Sequence, residues 1–165
     1  MLEEIKNLIQ QEAEAVMNIP ADENFHRVID LLYEKAHLKQ GKVIISGMGK
    51  AGQIADNIAT TFSSTGTPSM FLHPSEAQHG DLGIIRKNDV LIVLSNSGKT
   101  REIIELIELA RNLVEDLPVV VITGNPDSVL PSMSDFTLFT GNPKEVCPLR
   151  LSPTTSTTTM TVIGD

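Results

Sequence analysis

Three short segments of the chain, 42–46, 89–94 and 118–123, are built around unbroken Val, Ile and Leu stretches rather than alternating apolar and polar residues. A strand with one wet face alternates, whereas a strand apolar at successive positions is covered on both sides. Such strands belong to parallel sheets held between helical layers. The chain is therefore expected to form a doubly wound α/β domain, a three-layer αβα sandwich around a five-stranded parallel sheet. Weaker strands are expected at 69–73 and 136–140, and helices over 51–64 and 101–113. Leu2, Ile5, Leu8, Ile9, Ala13 and Val16 mark a helix over 2–17, and Phe25, Val28, Ile29 and Leu32 a second within 22–38. Segment 74–83 reads as a turn of helix or an ordered loop. A length of 165 residues suits one domain over 1–165, with N-terminal helices over 1–38 and a core over 40–165.

Open sheets of this kind bind ligands beyond the carboxyl ends of their strands. The polar, Gly-rich segments fall there: 47–52, 73–81, 95–100 and 123–126. Ser95-Asn96-Ser97-Gly98-Lys99-Thr100 is the most informative, because it joins an apolar strand to a helix through hydroxyl residues and one glycine. The first N–H groups of a helix lack intrahelical acceptors and the macrodipole is positive there, so an anion such as phosphate is the expected guest. The tail Gly98-Lys99-Thr100 resembles the end of a P-loop, but the first glycine of that motif would fall on Val93. P-loop hydrolysis of ATP or GTP is rejected.

Gly47-Met48-Gly49-Lys50-Ala51-Gly52 matches the dinucleotide fingerprint G-x-G-x-x-G. A second strand ending in an acidic residue should accompany it, but 69–73 runs into His73-Pro74-Ser75, with Glu76 beyond the proline. Lys50 inside the turn instead suggests a charge aimed at a ligand; a tight turn needing only glycine flexibility is the plainer alternative. After Pro153, six hydroxyl residues run in succession from Thr154 to Thr159, more than one helix cap requires. His73, Glu76, His79 and Asp81 crowd one short segment, but their spacing matches no metal-ligand pattern. No metal is expected, and His79 suits proton transfer near neutrality. Glu102 is favourable in the first turn of its helix through the dipole alone, whereas Glu145 has no helical reason for its place. His26 and His37 fall on the N-terminal helices, away from the strand ends, and read as surface or packing residues.

The net charge of −8 argues against nucleic acid as a partner. The single cysteine, Cys147, reads as a small buried hydrophobe and fits a reducing cytoplasm, the expected location. No leader or membrane-spanning run is read, so no membrane partner is expected. A helix opening over 154–163 reaches Asp165 without a C-cap, which is read as an incomplete polypeptide.

Over about residues 40–165 these pieces resemble the sugar isomerase (SIS) domain, and more narrowly the arabinose-5-phosphate isomerases. Ser95-Asn96-Ser97-Gly98 alone would suit any SIS domain. The resemblance also rests on Glu145-Val146-Cys147-Pro148-Leu149 and Pro153-Thr154-Thr155-Ser156-Thr157-Thr158, and the His79-Gly80-Asp81 block and the Cys147–Thr158 block look much more specific to the narrower branch. The resemblance implies interconversion of D-ribulose 5-phosphate and D-arabinose 5-phosphate through an enediol, without a cofactor, feeding Kdo synthesis for lipopolysaccharide or capsule. It carries catalytic roles onto Lys50, His79, Glu102 and Glu145. Lys50 would steady the enediolate, Glu145 or Glu102 would be the base, and His79 would assist ring opening or shuttle protons. Gly49, Ser95, Asn96, Ser97, Thr100, Ser152, Thr154, Thr155, Ser156 and Thr157 would bind the substrate. A further family histidine, in a Ser-His-Pro-Gly-Gly segment, and the paired CBS domains of many members lie outside this sequence. Lys99 stands where relatives commonly have Glu. The resemblance also suggests a homotetramer, with the apolar face of 2–17 available for contact. Without CBS domains, CMP-Kdo binding over the cleft is a candidate feedback. Isomerisation of another phosphosugar and non-catalytic sugar-phosphate sensing stay open as alternatives.

Overall fold

The unbroken apolar runs do become strands of one parallel sheet. A computed structural model describes residues 1–149 and 151–165. In chain order the elements are α1 (Leu2–Met17), α2 (Glu23–Leu32), a π-helical turn (Tyr33–Leu38), β1 (Val43–Gly47), α3 (Gly49–Ser64) and β2 (Ser69–Phe71). Then follow α4 (Pro74–Ala77), a 3₁₀ turn (Asp81–Ile84), β3 (Val90–Leu94), α5 (Arg101–Leu113), β4 (Val119–Thr123), α6 (Val129–Ser132), β5 (Phe136–Phe139) and α7 (Thr155–Gly164). Every residue of β1, β3 and β4 is buried.

The sheet order is β2-β1-β3-β4-β5, with all neighbours parallel. Side chains alternate across each strand, so each face receives its own core. Val43, Ile45, Val90, Ile92, Leu94, Val120 and Ile122 face the layer of α2, α3 and α7, where Val28, Ala55, Ile58 and Met160 close over them. Ile44, Leu91, Val93, Val119 and Val121 face the layer of α5, where Ile103, Leu106, Ile107 and Ala110 supply the apolar stripe. Two-sided burial is why these strands show no polar alternation. α1 is different: it contains no buried residue and lies against α7.

Several boundaries differ from the sequence expectation for local reasons. α3 begins at Gly49 rather than 51, hard against the end of β1. A Cβ on Gly52 would lie 2.6 Å from the Gly47 carbonyl oxygen, and one on Gly47 would lie 2.8 Å from the Ala51 backbone. Only a glycine pair permits that approach of helix to strand. β2 stops at Phe71, short of 73, because His73 turns to cap α4 with Pro74 at its first position. α6, unforeseen in the sequence, is one turn long, too short for apolar periodicity to show.

Candidate active site

The order β2-β1-β3 reverses direction at β1. The helices that leave β1 and β3 go to opposite faces of the sheet: α3 to one, α5 to the other. Divergence of those helices opens a crevice at the carboxyl ends of the two adjacent strands. Met48, Gly49 and Lys50 form one lip, and the 95–100 loop forms the other. Lys50 is exposed on the first turn of α3, its Nζ donating to Gln53 Oε1 at 3.2 Å.

The 95–100 loop is tightly self-bonded. Ser95 is buried, and its Oγ lies 2.8 Å from Thr100 Oγ1 while accepting from the Gly98 N–H at 3.2 Å. Ser97 is exposed, with its Oγ accepting from the Lys99 N–H at 3.3 Å. Gly98 sits at φ +64°, and a Cβ there would fall 1.8 Å from Ser128 Oγ. The loop after β4 thus seats directly on the loop after β3. Asn125 Nδ2 donates to the Ser97 carbonyl at 3.3 Å, Thr123 Oγ1 donates to the Asn96 carbonyl at 3.3 Å, and the Leu130 N–H donates to the Gly98 carbonyl at 3.2 Å. These supports were not singled out as site residues in the sequence, although 123–126 was recognisable as a polar strand end. The Asn96 Oδ1 is buried with no hydrogen-bond partner among the described residues.

His79 is exposed beyond α4, in the loop that follows β2. Its neighbour Gln78 donates to Glu105 Oε2 at 2.8 Å, and Glu105 Oε1 accepts from Arg101 Nε at 2.6 Å. The histidine loop is thereby tied to α5, whose first turn carries half-buried Glu102. The Glu102 side chain makes no hydrogen bond or ion pair among the described residues.

Glu145 follows β5 and caps α7. Its Oε2 accepts from the Thr154 N–H at 2.7 Å, Thr154 Oγ1 at 2.9 Å and the Ser156 N–H at 3.3 Å, and its Oε1 accepts from Ser156 Oγ. Burial pushes the Glu145 carboxyl up, but the hydrogen bonds from Ser156 and Thr154 outweigh it and hold the group below its ordinary value. The helix reason that the sequence lacked for Glu145 is this long-range cap. The same bonds occupy much of the hydroxyl run expected to face a ligand. Thr155 Oγ1 donates to Glu12 Oε1 at 2.8 Å, and Thr157 Oγ1 donates to the Thr154 carbonyl at 2.7 Å. Ser152 stands exposed ahead of that turn, its Oγ 3.5 Å from the Pro153 carbonyl oxygen.

Lys50, His79, Glu102 and Glu145 thus come from four strand ends, after β1, β2, β3 and β5. No hydrogen bond or ion pair joins any of the four to another among the described residues. Nor, among the described residues, do three His, Cys, Asp or Glu side chains converge as a metal would require. No helix is long and apolar enough to cross a membrane among the described residues.

Comparisons with known proteins bear on the family and the fold. The SIS domain family matches residues 38–165. Arabinose 5-phosphate isomerase KdsD of Francisella tularensis subsp. tularensis is 50% identical over 144 residues, covering 87% of this chain and 43% of that protein. KdsD of Escherichia coli K12 is 45% identical over 157 residues, covering 95% of this chain and 46% of that protein. The chain spans about half the length of the curated relatives it matches. Among solved structures, a candidate phosphosugar isomerase involved in capsule formation from Bacteroides fragilis superposes with a TM-score of 0.98 at 63% identity, over 99% of this chain and 85% of that one. An Escherichia coli CFT073 protein in complex with arabinose 5-phosphate superposes with a TM-score of 0.88 at 37% identity, over 99% of this chain and 85% of that one. With its parallel sheet, its β1–β3 crevice and a family match over residues 38–165, this chain belongs to the SIS domain family.

Proposed function

We propose that this chain is an aldose–ketose phosphosugar isomerase interconverting D-ribulose 5-phosphate and D-arabinose 5-phosphate, in a cytoplasmic route to Kdo for lipopolysaccharide or capsule. One observation carries the reading: a relative of the same fold, 37% identical, has been solved holding arabinose 5-phosphate. The curated relatives named arabinose 5-phosphate isomerase support the same choice of substrate.

An aldose–ketose isomerase opens the sugar and moves a proton between C1 and C2 through an enediol. Phosphate is assigned to Gly49, Ser95, Asn96, Ser97 and Thr100, with Ser152, Thr154, Ser156 and Thr157 as the facing wall; Thr155, expected there from the sequence, is buried with its hydroxyl on Glu12 and is left out of the wall. Lys50 steadies the enediolate oxygen. Between the two carboxylates, Glu102 is the better base. Glu145 is saturated with donors and held below its ordinary value, which makes it a weak proton acceptor. Glu145 then acts as a fixed negative wall. His79 assists ring opening, and the scheme needs no cofactor. The test is direct: purified protein is given ribulose 5-phosphate and product formation is followed by NMR. Arabinose 5-phosphate should appear, and turnover of only another phosphosugar, or none of any, would overturn the reading.

Two partners complete the proposal. A second copy of the chain is expected on the exposed Leu2, Ile5 and Ile9 of α1, in a homotetramer. CMP-Kdo, an acidic sugar nucleotide, is proposed as a feedback ligand at Lys50; calorimetry that detects no binding would remove it.

A further inference from the structure

Glu12 lies outside the carboxyl-edge loops, on a helix without a single buried residue. Yet its Oε1 accepts from Thr155 Oγ1 at 2.8 Å, and its Oε2 is shielded from solvent with no hydrogen-bond partner among the described residues. A shielded carboxylate held by one neutral donor is costly, and α1 could have met α7 with an apolar residue. What the carboxylate does for Thr155 explains its presence.

Thr155 is itself 1% exposed and stands between the two residues that hold Glu145. Thr154 and Ser156 donate to Glu145, whereas the middle hydroxyl turns the other way, to Glu12. A hydroxyl has one proton. Because Thr155 gives its proton to Glu12, its lone pair faces the Val146 N–H, which donates to it at 3.1 Å. Val146 is the residue next to Glu145. A path therefore runs from Glu12 through Thr155 to the backbone that carries the site carboxylate. Charge-assisted hydrogen bonds in a buried setting hold geometry more firmly than neutral ones.

We infer that Glu12 is a positioning residue, which fixes the Glu145 carboxylate by clamping the first turn of α7 through the Thr155 hydroxyl. The inference rests on the isomerase reading for its kinetic consequence but not for its structural one. Without Glu12, the buried Thr155 hydroxyl must seek another acceptor. The hydroxyl is then free to rotate, its bond from the Val146 N–H loosens, and Glu145 drifts within the site.

The test uses Glu12→Ala, Glu12→Gln, Thr155→Val and the Glu12→Ala/Thr155→Val double variant in the full chain, with Glu145→Gln as a control. Amide exchange is the first measurement. In Glu12→Ala and Thr155→Val, exchange at Val146, Thr154 and Ser156 should quicken about tenfold or more, with β3 and β4 unchanged. Isomerase kinetics are the second. Glu12→Ala should lower kcat about tenfold with KM within about twofold, since a small displacement of the Glu145 charge beside the reacting atoms acts on turnover. The amide of Glu12→Gln still accepts from Thr155 and should restore most of that loss, and the double variant should be no worse than either single one. Unchanged exchange at the three amides overturns the inference, whatever the activity. So does a kcat within about twofold of the parent in Glu12→Ala while Glu145→Gln is badly impaired. If Glu145→Gln turns over normally, the isomerase assignment of Glu145 fails, and the exchange result still decides the role of Glu12.

Discussion

Ser156 donates to Glu145 twice, once from its hydroxyl and once from its backbone N–H, so that one carboxylate closes the 145–156 loop and caps α7. Loop geometry, helix start and a site charge depend on the same pair.

Glu145→Gln should therefore cost stability as well as function. Replacing a capping carboxylate that accepts charge-assisted bonds costs about 1–2 kcal/mol. The pH dependence has a definite sign. Hydrogen bonds lower the folded-state carboxyl below the 4.5 of an ordinary one, against the upward push of burial. A depressed carboxyl stabilises the fold above its unfolded value, and that contribution is lost as pH falls through the lowered one. Urea unfolding at neutral pH should show the Gln variant weaker, with the gap narrowing in acid. A gap that does not change with pH contradicts the bonded carboxylate.

Glu102→Gln and Lys50→Ala should separate chemistry from binding. Loss of a general base costs about 10²–10⁴ in rate, so Glu102→Gln should lower kcat on ribulose 5-phosphate at least about 100-fold with little change in KM. Lys50→Ala should reduce kcat by about 10²–10³ through loss of enediolate stabilisation. Full activity in Glu102→Gln would shift the base to Glu145.

Gly98→Ala should damage the 95–100 loop, to which phosphate is assigned by proposal, without touching a hydroxyl. The position needs φ +64°, and its Cβ would collide with Ser128 Oγ at 1.8 Å. Left-handed strain alone costs about 1–3 kcal/mol, and the collision must also push α6 away from the loop. A raised KM and a lowered melting temperature are expected together. A Ser128→Gly partner change should recover part of the KM, because it removes the obstructing hydroxyl but not the strain.

Asp89→Ala gives the contrast. Asp89 is 1% exposed at the opposite edge of the sheet, where it accepts from the Lys42 N–H at 3.0 Å, Lys42 Nζ at 2.6 Å and the Arg86 N–H at 2.7 Å. Removing one partner of such a pair strands the other charge and costs about 3–5 kcal/mol. Thermal unfolding should register a large loss, while KM at temperatures where the variant stays folded should match the parent.

Association through α1 is tested by charge. Ile5→Glu and Ile9→Glu change exposed side chains that support no core, so the monomer fold should survive them. Light scattering should report a smaller assembly. An unchanged mass would place any interface elsewhere.

Much of the carboxyl edge was legible because its signals are local. Val90 to Leu94 is apolar at successive positions, and Ser95 to Thr100 supplies hydroxyls where a strand gives way to a helix. Lys50 was singled out by its place in a glycine turn, and the structure puts it at the carboxyl end of β1. Glu12 had no such mark, since a glutamate among glutamines and glutamates on an exposed helix looks like any solvated face. Thr123, Asn125 and Ser128 were likewise ordinary loop residues until β4 came to lie beside β3.

By itself, the sequence determined that the sheet is parallel and two-sided, and which edge of it carries the polar turns, because burial and turn chemistry act over a few neighbouring residues. Strand order was decided only by the tertiary structure. It put β1 beside β3, sent α3 and α5 to opposite faces, and so located the crevice. Tertiary structure also settled where the hydroxyls after Pro153 turn. Thr154 and Ser156 face Glu145, and Thr155 faces Glu12 from 143 residues away in the chain. The physical reason is the same in both cases. A hydrogen bond is satisfied by whichever partner folding brings within reach, and residue spacing along the chain carries no record of that partner.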